Sequence, residues 1–338
     1  MNLRYTLSFL RIMKTPGLYP IMKDWMACIR MNFIFAAYES GLLQALIQPC
    51  NRNTLIERLH VERTELLDAL LEVGLATKEL TIHDEQYSIK GKRSKTVSGA
   101  DGDMLAAMIQ ANMTYYSDAY RNATSRMRGA ELGQELDEIG DIVARFSKFT
   151  EPIIKNLLSS IVHAKNPIAV LDVGCGSGFL LRSAYEINNN AKGIGLDIDP
   201  AVVDQAKANM ASWGLADRFN IQHGNILDFK TDSGPFNLIS LLNILYYFDL
   251  DERLRLVKKL REMLSSDGKL AVVMSFRSKG KDIGTANLNM VNSSLKGLTP
   301  LPYLEEIKSL LKQCGFRKIK VHRFMPGSTF YGMVASIA

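Results

Sequence analysis

Three glycines at alternate positions, Gly174, Gly176 and Gly178, follow the apolar run IAVLDV and lead into a helical pattern at Phe179. Glycine lets the chain turn sharply there and lets a ligand approach the backbone. The spacing is G-x-G-x-G, not the G-x-G-x-x-G of a dinucleotide site. Asp172 stands two residues before the first glycine, where it would repel a pyrophosphate and suits a cationic ligand group. One helix later the run KGIGLD ends at Asp197, where a carboxylate can accept both hydroxyls of a ribose. Asp199 has a plainer part, as N-cap of the next helix with Pro200 in its first position. A second constellation closes the run LLNILYYF, with Asn243, Tyr246 and Tyr247 at its tip. An unperturbed tyrosine has a pKa of about 10, and no Lys or Arg stands between Lys230 and Arg253 to make Tyr246 a phenolate. Tyr246 is therefore expected to orient a bound molecule by a hydrogen bond or by the face of its ring. Tyr247 is expected to point elsewhere and to be structural.

Both constellations need elements to carry them. From residue 167 short apolar runs (IAVLDV, KGIGLD, FNIQH, FNLISLL, KLAVVMSF) alternate with helical patterns such as PAVVDQAKANMASW and DERLRLVKKLREML. That alternation predicts a parallel sheet covered by helices on both faces. The tail GFRKIKVHRFMPGSTFYGMVASI adds two strands around a Pro-Gly turn. The expected fold is α/β: a doubly wound, mostly parallel, seven-stranded sheet with an antiparallel C-terminal hairpin. In such sheets ligands bind beyond the carboxyl ends of the strands, at the switch point. Here that lies between the strands ending at Val173 and near Leu242, so both constellations meet there. The first part of the chain is α-helical and winged-helix-like: TLIERLH with Thr54 and Glu57 as a possible capping box, then ERTELLDALLEVG, then the hairpin KELTIHDEQYSIK. The expected divisions are 1–97, a Met-rich helical linker and pocket region at 98–164, and the sheet domain at 165–338.

Composition narrows the classes. With 338 residues, 47% hydrophobic and 22% charged, the chain can bury a sizeable core. A net charge of +6 gives little support for a nucleic-acid or membrane partner. Four scattered cysteines and five scattered histidines offer no disulfide framework and no metal site, and they point to a reducing compartment, the cytoplasm. The longest apolar stretch carries Glu39 and Gly41, which argues against a membrane span. The start, MNLRYTLSFLRIMK, reads as helix and not as a signal peptide.

VLDVGCGSG, GLDIDP, GNILDF and NLISLLNILYYF resemble, in order, the binding motifs of the S-adenosylmethionine-dependent methyltransferases with the doubly wound fold. The resemblance implies S-adenosyl-L-methionine as cofactor. It places Gly174 and Gly176 under the methionine part and Asp197 at the ribose; Asn225 and Ile226 border the adenine, and Asp172, Ile198, Leu242 and Asn243 complete the expected cofactor-binding set. The family more often has Asp where this chain has Asn225. FAAYESGLLQALI with the helix-helix-hairpin, and the segment ANLNMVNSSLKGLTPLPYLEEIKSLLKQCGF, are similar to the small-molecule O-methyltransferase branch, whose winged-helix domain dimerises. That likeness implies a homodimer and a small, apolar or aromatic acceptor, with Met113, Tyr116, Tyr120, Phe149, Tyr246 and Met290 as pocket candidates. Plant-like members of the branch place a catalytic histidine two residues after an Ile-Leu pair; here the position is Tyr246. That departure leaves C-methylation, or chemistry without methyl transfer, open beside O-methylation. A cofactor-sensing DNA-binding regulator fits less well. Its recognition helix would carry Glu62, Glu65, Asp68 and Glu72 against Arg63, whereas DNA affinity comes largely from neutralised phosphates.

Overall fold

A computed structural model describes residues 15–100, 102–134, 140–162 and 166–337. The chain forms two compact units, one ending at Thr114 and the other beginning at Tyr115. The helical stretch expected at 98–164 is shared between them.

The first unit holds helix α1 (Leu18–Glu39), α2 (Arg52–Arg58) and α3 (Thr64–Ala76). An antiparallel hairpin of β1 (Leu80–His83) and β2 (Gln86–Ile89) and helix α4 (Gly102–Ala111) complete it. Phe33, Ile34, Leu43, Leu55, Leu71 and Leu80 form its core. Helix α2 starts a turn earlier than Thr54 suggests, because the Asn51 side chain accepts the Thr54 N–H at 2.9 Å and caps it. The outer half of α1 leaves Tyr19, Ile21 and Trp25 exposed.

The second unit is a seven-stranded sheet in the order β5-β4-β3-β6-β7-β9-β8. Its strands are β3 (Ile168–Val173), β4 (Ala191–Asp197), β5 (Phe219–His223), β6 (Phe236–Leu242), β7 (Leu264–Ser275), β8 (Lys318–Arg323) and β9 (Phe330–Ser336). Strands β3 to β7 are parallel; β9 runs antiparallel between β7 and β8. The reversal of order at β3 and β6 is the switch point. Helices α5 (Glu151–Ser159), α6 (Phe179–Ile187) and α7 (Pro200–Ser212) cover one face through Leu157, Leu181 and Ala206. Helices α8 (Leu250–Met263) and α10 (Leu304–Gln313) cover the other through Leu256, Leu260 and Leu311, with α9 (Ile283–Asn292) between them in sequence. Strand β3 shows why both faces must be covered. Val170 packs into one core and Leu171 into the other, so every side chain of the run is apolar until Asp172. No described helix is long and apolar enough to cross a membrane.

Candidate active site

The loop after β3 is built by its glycines. Gly174, Gly176 and Gly178 have φ of 68°, 51° and 81°, a left-handed backbone that other residues adopt at a cost. They differ in what surrounds them. A Cβ on Gly174 would lie 2.1 Å from Ile244 Cδ1, and one on Gly178 would lie 2.3 Å from Met210 Cε. A Cβ on Gly176 would meet nothing within 4 Å, so the backbone there faces open space that a ligand can enter. The loop is tied to β4: the N–H groups of Gly174 and Cys175 donate to the Leu196 carbonyl at 2.7 and 3.1 Å.

Asp197 ends β4 with its carboxylate turned to this loop. One oxygen accepts the Gly176 N–H at 3.0 Å and the other accepts the Asp199 N–H at 3.2 Å. Asp199 caps α7 as its sequence implies, accepting the Ala201 N–H at 2.8 Å. Ile198 is 66% exposed beside the site, and its carbonyl lies 3.0 Å from His223 Nε2. Asp172 lies beneath the loop, buried, and accepts a 2.7 Å hydrogen bond from the Ser240 hydroxyl. Burial pushes its pKa up to about 7; the Ser240 hydrogen bond pulls the other way, and nearby Asp197 adds to the rise. A cation arriving here would find an acid whose charge is costly without it. Burial also pushes the Cys175 thiol up, which suits a filler and not a nucleophile. Asn225 accepts the Leu227 N–H at 2.9 Å in a local turn, and Ile226 is buried in the core next to it.

After β6 the chain leaves Leu242, passes Asn243 at φ 53°, and makes a single 3-10 turn, Leu245–Tyr247. Asn243 donates its N–H to the Val273 carbonyl at 2.8 Å, which anchors the turn to β7. The Ile244 side chain occupies the space that Gly174 leaves empty, so this turn packs directly on the glycine loop. Tyr246 is half-buried, and Tyr247 does not point away as expected: their rings lie 5.1 Å apart, tilted by 34°. Successive side chains on a three-residue turn diverge less than they do across a strand. Tyr247 is the exposed one of the two, and its phenol pKa is raised by burial first and by the Asp197 charge second.

Two more phenols act electrostatically on Tyr246. Tyr115 and Tyr116 are buried, with rings 4.8 Å apart edge to face. Burial pushes Tyr116 up to about 12 and Tyr246 well above the usual phenol range; the other groups acting on Tyr246 are the phenols of Tyr247, Tyr116 and Tyr115. All are donors at neutral pH. Among the remaining pocket candidates, Tyr120 is 55% exposed and donates to the Asn287 side chain of α9 at 2.7 Å. Met290 is half-buried on α9, Phe149 is exposed in a short 3-10 turn, and Met113 packs on the core of the first unit. Sequence reasoning missed Tyr115 and Ser240. The signal for Tyr115 was present: a second tyrosine pair, resembling the first, directly before Ser117.

Residues 170–268 match the family model described as methyltransferase domain. The ribosomal protein L11 methyltransferase of Shouchella clausii is 35% identical over 118 residues, 34% of this chain and 36% of that protein. The tRNA1(Val) (adenine(37)-N6)-methyltransferase of Porphyromonas gingivalis is 29% identical over 160 residues, 41% of this chain and 62% of that protein. The chain therefore spans between about a third and under two thirds of the length of these curated relatives. Solved structures match it along nearly all its length. The mitomycin 7-O-methyltransferase MmcR covers 96% of this chain and 98% of its own, with TM-score 0.79 and 16% identity. Human N-acetylserotonin methyltransferase, solved with SAM, has TM-score 0.72 and 16% identity over 96% of this chain and 98% of its own. PigF with SAH has TM-score 0.76 and 16% identity over 95% of this chain and 99% of its own. Residues 170–268 match a methyltransferase domain, and they are set in a chain with the fold of these solved O-methyltransferases.

Proposed function

We propose that this chain transfers the methyl group of S-adenosylmethionine to a small, apolar or aromatic acceptor without a histidine base. The observation that carries this reading is the tyrosine turn packed on the glycine loop, with Ile244 seated over Gly174. Gly174 and Gly176 would lie under the methionine part, with Asp172 below to complement its ammonium. Asp197 would exchange its loop hydrogen bonds for the ribose hydroxyls, beside Ile198. Asn225 and Ile226 would border the adenine, and Leu242 and Asn243 would line the same crevice. The open space over Gly176 and the buried acid beneath the loop fit such a ligand.

Bound there, the cofactor supplies a methyl group on a sulfonium, whose leaving group is already activated. What the chain must add is alignment, which can be worth roughly 7–11 kcal/mol. A general base would add about 10²–10⁴-fold. Tyr246, held protonated by burial, serves as hydrogen-bond donor to the acceptor. Such a site suits an acceptor that ionises readily by itself or attacks through carbon, with Tyr116, Tyr120, Phe149 and Met290 as candidates to contact it. The exposed apolar face of α1 supports a homodimer formed by a winged-helix-like N-terminal region, and four free cysteines support a cytoplasmic setting. The test is calorimetry with S-adenosylhomocysteine, then a mass-spectrometric search for an acceptor that gains a methyl group. A folded chain that does not bind S-adenosylhomocysteine at millimolar concentration would falsify the reading.

A further inference from the structure

We infer that Arg253 and Thr299 are positioning residues for the tyrosine turn, gripping its backbone so that Tyr246 faces the acceptor. The inference rests on the function proposed above and goes beyond it to residues outside any motif. A single 3-10 turn leaves carbonyls without helical partners. The Phe248 N–H reaches the Leu245 carbonyl only at 3.4 Å. Arg253 fills that gap from α8: its Nε donates to the Leu245 carbonyl at 2.8 Å. Its Nη2 donates to the Thr299 hydroxyl at 2.5 Å. Thr299 in turn donates twice to the Tyr246 carbonyl, from its N–H at 2.8 Å and its hydroxyl at 2.9 Å.

Arg253 is only 4% exposed, and among the described residues no carboxylate lies within ion-pair distance of it. Burial lowers its pKa, with Glu306 and Asp249 opposing from further off. A buried guanidinium without a paired anion is costly, and the contacts it makes instead are to the turn and to Thr299. The hydrogen bonds of the pair to the turn all end on main-chain carbonyls, so the grip is on the main chain. Thr299 also follows α9, and the Asn289 side chain of α9 accepts the Leu301 N–H at 2.9 Å. The same clamp thus fixes Tyr246 against the segment that carries Met290.

The test reads the Tyr246 ring directly by NMR of tyrosine-13C-labelled protein, free and with S-adenosylhomocysteine. Thr299→Val keeps the shape and removes the hydroxyl; Thr299→Ser keeps the hydroxyl. Thr299→Val should move or broaden the Tyr246 signal more than that of any other of the 12 tyrosines, and Thr299→Ser should restore it. Arg253→Lys, which keeps the charge and loses the fork, should move the same signal. A Tyr246 resonance unchanged in folded Thr299→Val or in Arg253→Lys overturns the inference. So does a shift in Thr299→Val that Thr299→Ser does not reverse. Because the signal is read without the ligand as well, a chain that fails to bind S-adenosylhomocysteine sinks the functional reading and leaves this test intact.

Discussion

The glycine loop after β3 and the tyrosine turn after β6 leave neighbouring strands of one sheet and pack on each other, yet they are held differently. The loop is held by its own backbone and by acids at strand ends: Gly176 N–H to Asp197, and Gly174 and Cys175 N–H to Leu196. The turn is held by groups outside it: Arg253 from the following helix, Thr299 from 53 residues along the chain, and the Val273 carbonyl of β7. A loop stabilised by backbone geometry must use glycine at fixed spacing. A turn stabilised from outside can carry many residue types, and so can change its chemistry. That difference explains how the residues of the turn can vary beside a loop whose glycines cannot.

The strongest way to break the loop side is Asp197→Ala. It removes a carboxylate that would hold two hydroxyls, each charge-assisted bond contributing about 1.5–3 kcal/mol. S-adenosylhomocysteine affinity, measured by calorimetry, should fall by roughly 100-fold or more, with the melting temperature nearly kept. Unchanged affinity would show that the ribose is not held there.

Within the loop, two glycines should separate stability from binding. Gly174→Ala adds left-handed strain of about 1–3 kcal/mol to a clash with Ile244. It should lower stability by several kcal/mol and disturb the tyrosine turn as well. Gly176→Ala carries strain but meets open space. It should fold with a loss of about 1–2 kcal/mol and bind S-adenosylhomocysteine more weakly. Denaturant midpoints and calorimetry on both variants check this. Equal effects in the two assays would mean that the space over Gly176 is not the ligand's.

Asp172 sharpens the comparison through pH. Its folded pKa is raised to about 7 from 3.8. The folded state therefore holds a proton that the unfolded state has lost, and stability falls as pH rises through that window, then levels above it. The slope from this one group is at most about 1.4 kcal/mol per pH unit. Asp172→Asn should remove it, and wild-type protein saturated with S-adenosylhomocysteine should show less of it, because the ligand ammonium favours the ionised acid. Urea midpoints measured between pH 4.5 and 8 decide the matter; parallel curves for wild type and variant would show that Asp172 does not titrate there.

Legibility followed the same divide. Strand β3, the alternation of the glycines and the cap at Asp199 are local patterns, so IAVLDVGCGSG and GLDIDP disclosed both the sheet and the loop. Tyr246 was legible as an anomaly at its position, but not the direction of Tyr247, because FNLISLL does not reveal that the strand yields to a 3-10 turn at Leu245. Ser240, Arg253 and Thr299 were not legible as site residues. Ser240 sits within an apolar strand and Arg253 within an amphipathic helix, and Thr299 is 53 residues from the carbonyl it holds. Tertiary placement gives them their roles. Tyr115 escaped for a related reason: its burial against Tyr116 comes from packing, and two adjacent residues on a regular helix do not share a face.

The smallest effect is expected where the chemistry is nearest. Tyr246→Phe keeps the ring and removes one hydroxyl, while the clamp on its carbonyl is untouched. Burial among other phenols keeps the Tyr246 hydroxyl protonated, so what is lost is a neutral donor, a net contribution of about 0.5–1.5 kcal/mol. Turnover with an acceptor found in the screen should fall by less than roughly 10-fold, and S-adenosylhomocysteine affinity should stay the same. The pH profile of turnover should follow the acceptor's own ionisation in both wild type and variant. A loss of about 10³-fold or more in a folded variant that still binds S-adenosylhomocysteine would make Tyr246 a base. The site would then need a cation near its hydroxyl, and Arg253, which grips the other side of the turn, would have to move.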